Sequence, residues 1–252
     1  MPMIVSKYLF SKSSKLIKNA KLILGTSLVL LSSFAANAQD NEWELKREKD
    51  GVSLYLRDYP NSSIPEFKGV ITVESSMASI VSLLLDIESC PEWVHQCGES
   101  FPIEVISPKE QYVYQINKLP FVRDRDIILR ATLEYLDHAK LITIQMDSEA
   151  DYCNDKNIEA CNKIDGGKYV RVRESSGNYQ LQQLNAQKIK ITWRQHIDPG
   201  GRLPNWLIRS QIADFPIHTL KNLKKMIEKE KYQNKNIVIE NRYLNLVEKN
   251  KS

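Results

Sequence analysis

Few side chains in this sequence combine the type and the spacing that catalysis requires. His196 and His218 have side chains whose ordinary pKa lies near neutrality, so either could act as an acid or a base. The run 123–126 reads Arg-Asp-Arg-Asp and could hold a polar ligand. Neither histidine belongs to a motif with a partner, and exposed charges of alternating sign tend to pair for about 0–1 kcal/mol each. We therefore interpret both features as structural, with the charged run fixing the exit of a loop.

Known catalytic motifs are missing from the sequence. It contains no nucleophile elbow, zinc-protease helix, phosphate-binding loop or dinucleotide fingerprint. We therefore expect a protein that is not an enzyme and that needs neither a cofactor nor a metal.

Four cysteines form two local pairs, Cys90 with Cys97 and Cys153 with Cys161. An even number of closely spaced cysteines in an exported chain is typical of disulfides, so we predict both bonds. Four ordinary thiols are the alternative. A zinc site is not favoured, because the spacing is not that of a C-x-x-C pair and only His95 lies near.

The first 38 residues have the organisation of a secretory signal peptide. Five lysines precede an apolar run at 22–31, and Ala36-Asn37-Ala38 forms a small-residue cleavage site before Gln39. The apolar run is about ten residues long, whereas a bilayer span needs about 20. We predict cleavage near Ala38 and export to the periplasm or the medium.

The basic balance of the full chain comes from this segment. Without it, the counts of basic and acidic residues are 30 and 31, a net charge of −1. Nothing in the overall charge then favours nucleic acid as a partner. The remaining length is enough for one domain with a core or an internal cavity.

The clearest elements are a strand over 188–198 and the long helix that follows it. Apolar and polar residues alternate along the strand, so that one face, with Trp193, must meet a core or a cavity. The sequence 198–201, Asp-Pro-Gly-Gly, predicts a sharp turn, and Pro204 marks the start of a helix. Pro216 predicts a kink near one turn before it. The helix carries one stripe of side chains, namely Ile212, Phe215, Thr219, Leu223 and Ile227.

The rest of the chain predicts an α+β domain over 39–232 and a polar tail over 233–252. A short helical segment is expected at 43–49, a helix capped by Ser75 or Ser76, and a polar insertion at 147–168. Other strands are predicted at 52–57, 67–73, 103–107, 112–117, 127–135, 140–146, 169–174 and 179–184. One curved antiparallel sheet would wrap around the last helix, which must cover its concave face.

In this order the motifs resemble those of the START lipid-binding domain, a member of the helix-grip superfamily. The resemblance covers about 43–231 and is carried by Asp50-Gly51-Val52, Trp93, the loop 119–126, the strand segment 192–196, Asp198-Pro199-Gly200-Gly201, Leu203-Pro204 and Trp206. It implies a hydrophobic tunnel between sheet and helix that holds one lipid. Some sterol-binding members place an arginine on the strand after the charged run, facing the tunnel. Here Arg130 lies on the other face.

The resemblance also implies which residues contact the lipid. We expect the tunnel wall to include Ile127, Leu129, Ala131, Trp193 and the helical stripe, with Arg171 and Arg173 as candidates for contact with a polar headgroup. The loop 118–126, with Pro120 and Phe121, and the last helix, bending at Pro216, would form a movable lid. Transient contact with a membrane is compatible with such a lid, and we expect a monomer.

Three functions follow from this interpretation. The first is a carrier or sensor of one hydrophobic molecule. The second is an enzyme of the same fold, a cyclase or hydrolase with His196, Arg194 or Arg173 as candidate groups. The third is a structural module that binds another envelope protein.

Overall fold

The computed structural model describes residues 42–233, 235–240 and 243–248. The predicted signal segment and its cleavage site therefore lie outside the described residues. No helix among the described residues is both long and apolar enough to cross a membrane.

The described residues contain one ten-stranded sheet. Its strands are β1 (Glu44–Lys49), β2 (Val52–Arg57), β3 (Glu66–Glu74), β4 (Cys97–Ser107), β5 (Glu110–Asn117), β6 (Arg125–Leu136), β7 (Leu141–Ser148), β8 (Val170–Arg171), β9 (Glu174–Gln183) and β10 (Lys188–Asp198). The order across the sheet is β1-β2-β3-β10-β9-β7-β6-β5-β4, with all neighbours antiparallel, and β8 pairs parallel to β6. Two further strands, β11 (Lys235–Glu240) and β12 (Tyr243–Glu248), form a separate antiparallel hairpin.

Helices α1 (Met77–Leu85) and α2 (Cys90–Trp93) connect β3 to β4, while α3 (Asn205–Met226) and α4 (Glu230–Gln233) follow β10. The Ser76 hydroxyl caps α1 by accepting a hydrogen bond from the Ser79 amide at 3.1 Å. The predicted starts of α1 and α3 are therefore confirmed.

The long helix α3 packs directly on β2 and β3. Gly69 permits the close approach, since a Cβ atom at this position would lie 2.6 Å from Cδ1 of Leu220. Buried side chains of α1, α3 and the inner face of β2, β3, β9 and β10 form the main core. This arrangement confirms the predicted α+β helix-grip fold.

A second, smaller core lies on the outer face of β4, β5 and β6. Tyr114, Ile116 and Ile128 of the sheet pack there against side chains of the insertion after β7, including the buried Cys161. The insertion thus covers one face of these strands and leaves the other face to the interior.

Strands β4 and β9 begin earlier than predicted, and two other elements differ more strongly from the prediction. The segment 43–49, expected to be helical, forms β1, an edge strand exposed along its whole length. The strand expected at 169–174 is reduced to the two residues of β8, because Val172 and Arg173 separate this short parallel pairing from the start of β9.

Candidate ligand-binding cavity

A cavity of about 430 Å³ lies between the inner face of the sheet and the helices. Its lining comes from β3 to β7, β9 and β10 of the sheet and from α1, α2 and the first half of α3. Most of the lining side chains are apolar, and the volume falls within the roughly 300–1,000 Å³ typical of small-molecule sites.

The wall formed by β5 and β6 follows from their register. Cross-strand neighbours pair Val113 with Leu129 and Gln111 with Ala131. Because side chains alternate between the faces of a strand, every second residue of β6 points inward. The structure accordingly places Ile127, Leu129 and Ala131 in the lining, where the sequence pattern puts them.

An aromatic cluster of β3, β9, β10 and α3 lines another part of the cavity. The Trp193 ring lies 4.8 Å from that of Phe67, 5.1 Å from that of Tyr179 and 5.7 Å from that of Phe215. The indole N–H donates to Oε1 of Gln195 at 3.0 Å, so the buried donor is satisfied within the protein. Trp193 can therefore offer the cavity an apolar surface.

The predicted stripe of α3 is divided between the cavity and the core. Ile212 and Phe215 line the cavity, whereas Thr219, Leu223 and Ile227 lie outside the lining and are fully buried. The sequence-based assignment of these three residues to the cavity wall is thus corrected. The reason is that only the first half of α3 stands away from the sheet, while the second half packs directly on it.

The two arginines proposed for a headgroup do not line the cavity. Arg171 donates to Asp126 at 2.7 Å and to the carbonyl of Ala150 at 2.7 Å. Arg173 pairs with Asp151 at 3.0 Å near the surface. The parallel pairing of β8 aligns Arg171 with Asp126 and so directs it toward the outer face of the sheet.

The charged run 123–126 fixes the loop before β6, as predicted. Arg123 donates to the carbonyl of Gly167 at 2.7 Å, and Asp124 accepts from the amide of Leu119 at 3.0 Å. Asp126 is buried and also accepts from the Tyr114 hydroxyl at 3.1 Å.

Arg125 differs from the rest of this run because it also lines the cavity. It donates to the carbonyls of Pro199 at 3.1 Å, Gly200 at 3.0 Å and Arg123, and thereby ties the loop to the turn after β10. Burial lowers the pKa of Arg125, the charge of Arg123 adds to this effect, and the carboxylate of Asp124 opposes it in part.

Two amide side chains of β5 belong to the cavity lining although the sequence-based prediction did not include them. Gln115 and Asn117 line the cavity, and Nε2 of Gln115 donates to Oδ1 of Asn117 at 2.6 Å. The alternation along β5 could have predicted this placement. The tyrosines and isoleucine of the strand fill the outer core, so the residues between them share the inward face, namely Gln111, Val113, Gln115 and Asn117.

Two acidic residues of the lining form ion pairs with basic side chains of the protein. Asp86 accepts from the Tyr232 hydroxyl at 2.8 Å and pairs with Lys231 at 3.1 Å. Glu110 pairs with Arg130 at 2.8 Å.

None of the three residues proposed for the lid, Pro120, Phe121 and Pro216, lines the cavity. Leu119 lines the cavity, but Pro120 and Phe121 point away from it, and Phe121 is 92% exposed. Trp206, at the start of α3, is 56% exposed. Pro216 is buried within α3 close to Gly69 of the sheet.

The two predicted cysteine pairs, Cys90 with Cys97 and Cys153 with Cys161, each lie at disulfide-bonding distance. Such pairs are typical of an oxidising, extracytoplasmic compartment. Within the described ranges, no group of three His, Cys, Asp or Glu side chains is placed to hold a metal ion.

The histidines considered for catalysis lie outside the cavity lining. His196 is fully buried and stacks on Tyr59 at 3.6 Å between ring centroids. His218 stacks on His95 at 4.8 Å.

The family model of the START domain matches residues 30–231 of this chain. An uncharacterized protein of Pseudomonas aeruginosa is 26% identical over 196 residues, which are 77% of this chain and 91% of the relative.

Solved structures of STAR-related lipid transfer proteins also match this chain. The crystal structure of a fragment of the STAR-related lipid transfer protein from Xanthomonas axonopodis matches with a TM-score of 0.65 and 26% identity, over 74% of this chain and 99% of that one. Human StAR-related lipid transfer protein 5 matches with a TM-score of 0.61 over 74% of this chain and 86% of that one. Its identity is 15%, so this second likeness concerns the fold alone.

Proposed function

The chain belongs to the START domain family, and we propose that it is a non-catalytic carrier or sensor that takes up one hydrophobic molecule in its cavity. The observation that carries this proposal is the apolar cavity of about 430 Å³ between sheet and α3. The Xanthomonas axonopodis relative is a STAR-related lipid transfer protein, which supports the same function.

Binding would be driven by desolvation. Apolar surface removed from water stabilises a complex by about 25 cal/mol per Å², and the wall of Ile127, Leu129, Trp193 and Phe215 offers such surface. The polar groups that share the lining with it include the amides of Gln115 and Asn117. Amides orient a ligand by hydrogen bonding, and they do not exchange protons near neutral pH, which supports binding rather than acid–base catalysis.

Exchange of the ligand requires the cavity to open. We assign this movement to the loop 118–126 and the start of α3, which both contribute residues to the cavity lining. Phe121 and Trp206 would contact a membrane there, because both expose aromatic surface to solvent. We place this exchange in the periplasm or outside the cell, after removal of the signal segment near Ala38.

The test is lipid binding by the mature protein and by a matched set of variants. Lipids that co-purify would be extracted and identified by mass spectrometry, and displacement of a fluorescent lipid would give affinities. Phe215→Asp should weaken binding at least tenfold while the protein still folds, because a carboxylate would enter a dry cavity. Lys224→Glu, which places a carboxylate on the exposed side of the same helix, should bind as the wild type does.

Leu223→Asp serves as a second comparison. Leu223 is fully buried in the core outside the cavity, so we expect loss of folding there rather than selective loss of binding. A folded Phe215→Asp variant with unchanged affinity, or a wild type that binds no lipid of any class, would refute the carrier proposal.

A further inference from the structure

One end of the cavity carries a buried cation that no carboxylate of the described residues pairs with. Arg125 is 4% exposed and lines the cavity, and its three hydrogen bonds all go to backbone carbonyls. A guanidinium has five N–H donors, so two remain after these bonds. Carbonyls satisfy hydrogen bonds but do not cancel a positive charge. The carboxylate of Asp124 acts on Arg125 through space and opposes the cost of burial only in part, because it is itself paired with Lys118 at 3.2 Å.

Asn117 adds donors at the same end. It lies directly opposite Arg125 in the register of β5 and β6. Its Oδ1 accepts from Gln115 at 2.6 Å, which leaves the Nδ2 group, for which the described residues supply no acceptor. The Arg125–Asn117 pair therefore presents N–H donors and a positive charge to the cavity.

An apolar path leads away from this pair. Ile127, Leu129, Ala131 and Leu133 follow Arg125 on the inward face of β6. From Arg125 to Leu133 the strand advances eight residues, or roughly 26 Å at 3.3 Å per residue. The volume of about 430 Å³ lies in the lower part of the range for small-molecule sites, which suits one chain better than two.

We propose that the ligand is a single-chain lipid with a carboxylate head, a long-chain fatty acid, whose head lies between Arg125 and Asn117 and whose chain follows the inward face of β6. This inference rests on the proposed function and specifies its ligand. The carboxylate supplies the missing negative charge and two acceptor oxygens, and charge-assisted hydrogen bonds are stronger than neutral ones. An alcohol or an ester head accepts hydrogen bonds but leaves the guanidinium charge unpaired.

The first experiment varies the ligand and leaves the protein unchanged. Oleate, oleyl alcohol and methyl oleate share one chain and differ in the head, so displacement of a fluorescent lipid by each isolates the contribution of the head. We expect oleate to bind at least tenfold more tightly than the other two, and more tightly than a diacyl phosphatidylcholine.

The outcomes separate the two proposals. Equal affinity for all three oleyl compounds, or stronger binding of the diacyl lipid, would overturn the fatty-acid assignment and leave the carrier function standing. Failure of every lipid to bind would remove both.

The second experiment changes the head site. Asn117→Asp keeps the size of the side chain but places a carboxylate where the head should lie, and should reduce oleate affinity at least tenfold while changing oleyl alcohol affinity less than threefold. Gln180→Ala removes an amide from the opposite face of β9 and should preserve the wild-type preference. Unchanged oleate affinity in a folded Asn117→Asp variant would contradict the proposed head site.

Discussion

At the scale of single residues, Phe121 is placed where neither packing nor backbone geometry favours it. Its side chain is 92% exposed, and its φ of 68° lies in the left-handed region that residues with a Cβ rarely adopt. A large exposed aromatic at the end of a lipid-sized cavity is suited to contact with a membrane surface.

We predict that Phe121→Ser slows transfer of a fluorescent lipid between vesicles several-fold and leaves the affinity for free lipid unchanged. The physical reason is that Phe121 lies outside the cavity lining and should affect only contact with the vesicle. Transfer rates and displacement affinities would be measured on the same preparations. Phe121→Trp should retain transfer, and wild-type transfer by Phe121→Ser would show that the residue has no part in membrane contact.

His196 shows how burial alters an ionisable side chain. It is fully buried against Tyr59, and neither ring nitrogen makes a hydrogen bond, although Nε2 lies 3.6 Å from the Glu174 carboxylate. Burial lowers the pKa of His196, and the carboxylate of Glu174 opposes this shift only in part. The unfolded chain, with an ordinary histidine pKa of about 6.5, therefore binds a proton at a higher pH than the folded protein.

We predict that this histidine makes the protein less stable in mild acid. Below about pH 6.5 the unfolded state gains the proton first, so the free energy of unfolding falls with pH until the folded protein also binds it. Thermal melts between pH 7.5 and 5.5 should show a smaller loss of Tm for His196→Phe than for the wild type. The exposed His138→Gln variant is the control and should follow the wild type; equal slopes for all three proteins would exclude His196 as the cause.

At the scale of elements, the contact between α3 and β3 decides where the cavity ends. Gly69 lets Leu220 approach the sheet, so the second half of α3 packs without a gap, while the first half leaves room for the cavity. Leu220 is fully buried and has little freedom to move aside.

We predict that Gly69→Ala lowers the free energy of unfolding by about 1–3 kcal/mol, the usual cost of overpacking a core. Chemical denaturation would measure it. Gly166→Ala adds the same methyl group where no atom lies within 4 Å and should change stability little. Equal stability of the two variants would mean that Leu220 can move away from the added methyl group without lowering the free energy of unfolding.

Strand β1 illustrates how pairing overrides local preference. Glu44 to Lys49 contains mostly residues that favour helices, yet the segment pairs with β2, with an irregularity between Leu45 and Arg47. The adjacent Asp50 and Gly51 both have positive φ, which makes the tight turn of a hairpin. The turn, rather than the composition of the segment, sets its structure.

At the scale of the whole molecule, the two sides of β4 to β6 have separate tasks. The inner side lines the cavity, and the outer side supports the small core that contains Cys161. Tyr152 of the insertion stacks on Tyr112 of β5 at 3.5 Å between ring centroids. Stability of the insertion and binding in the cavity should therefore be separable.

We predict that Cys153 and Cys161 are linked in the exported protein and that their bond stabilises the fold by about 2–3 kcal/mol, through restriction of a short loop in the unfolded chain. Peptide mapping without reductant would detect the bond, and intact mass should place the first residue at Gln39. The double variant Cys153→Ser/Cys161→Ser should lose stability and keep lipid affinity. Free thiols at both positions, or loss of binding in the folded variant, would contradict this separation.

The sequence by itself determined the elements whose pattern is local. Strands β2 and β10 have the predicted bounds, and α1 begins after the predicted cap, because alternation, capping and turn chemistry depend on neighbours within a few residues. The inward placement of Ile127, Leu129 and Ala131 follows from the same alternation. The motifs that resemble the START domain also gave the family correctly.

Only the tertiary structure decided what each face meets. The stripe on α3 is continuous in sequence, but it borders the cavity at Phe215 and the solid core at Leu223, because the distance between helix and sheet changes along the helix. Likewise, Arg171 turns to Asp126 because β8 lies beside β6, and Asn117 meets Arg125 because two strands share a register. Arg171 and Asp126 are 45 residues apart, and the alignment of Asn117 with Arg125 depends on the register of the β5–β6 hairpin, so the residue pattern of a single strand fixes neither pairing.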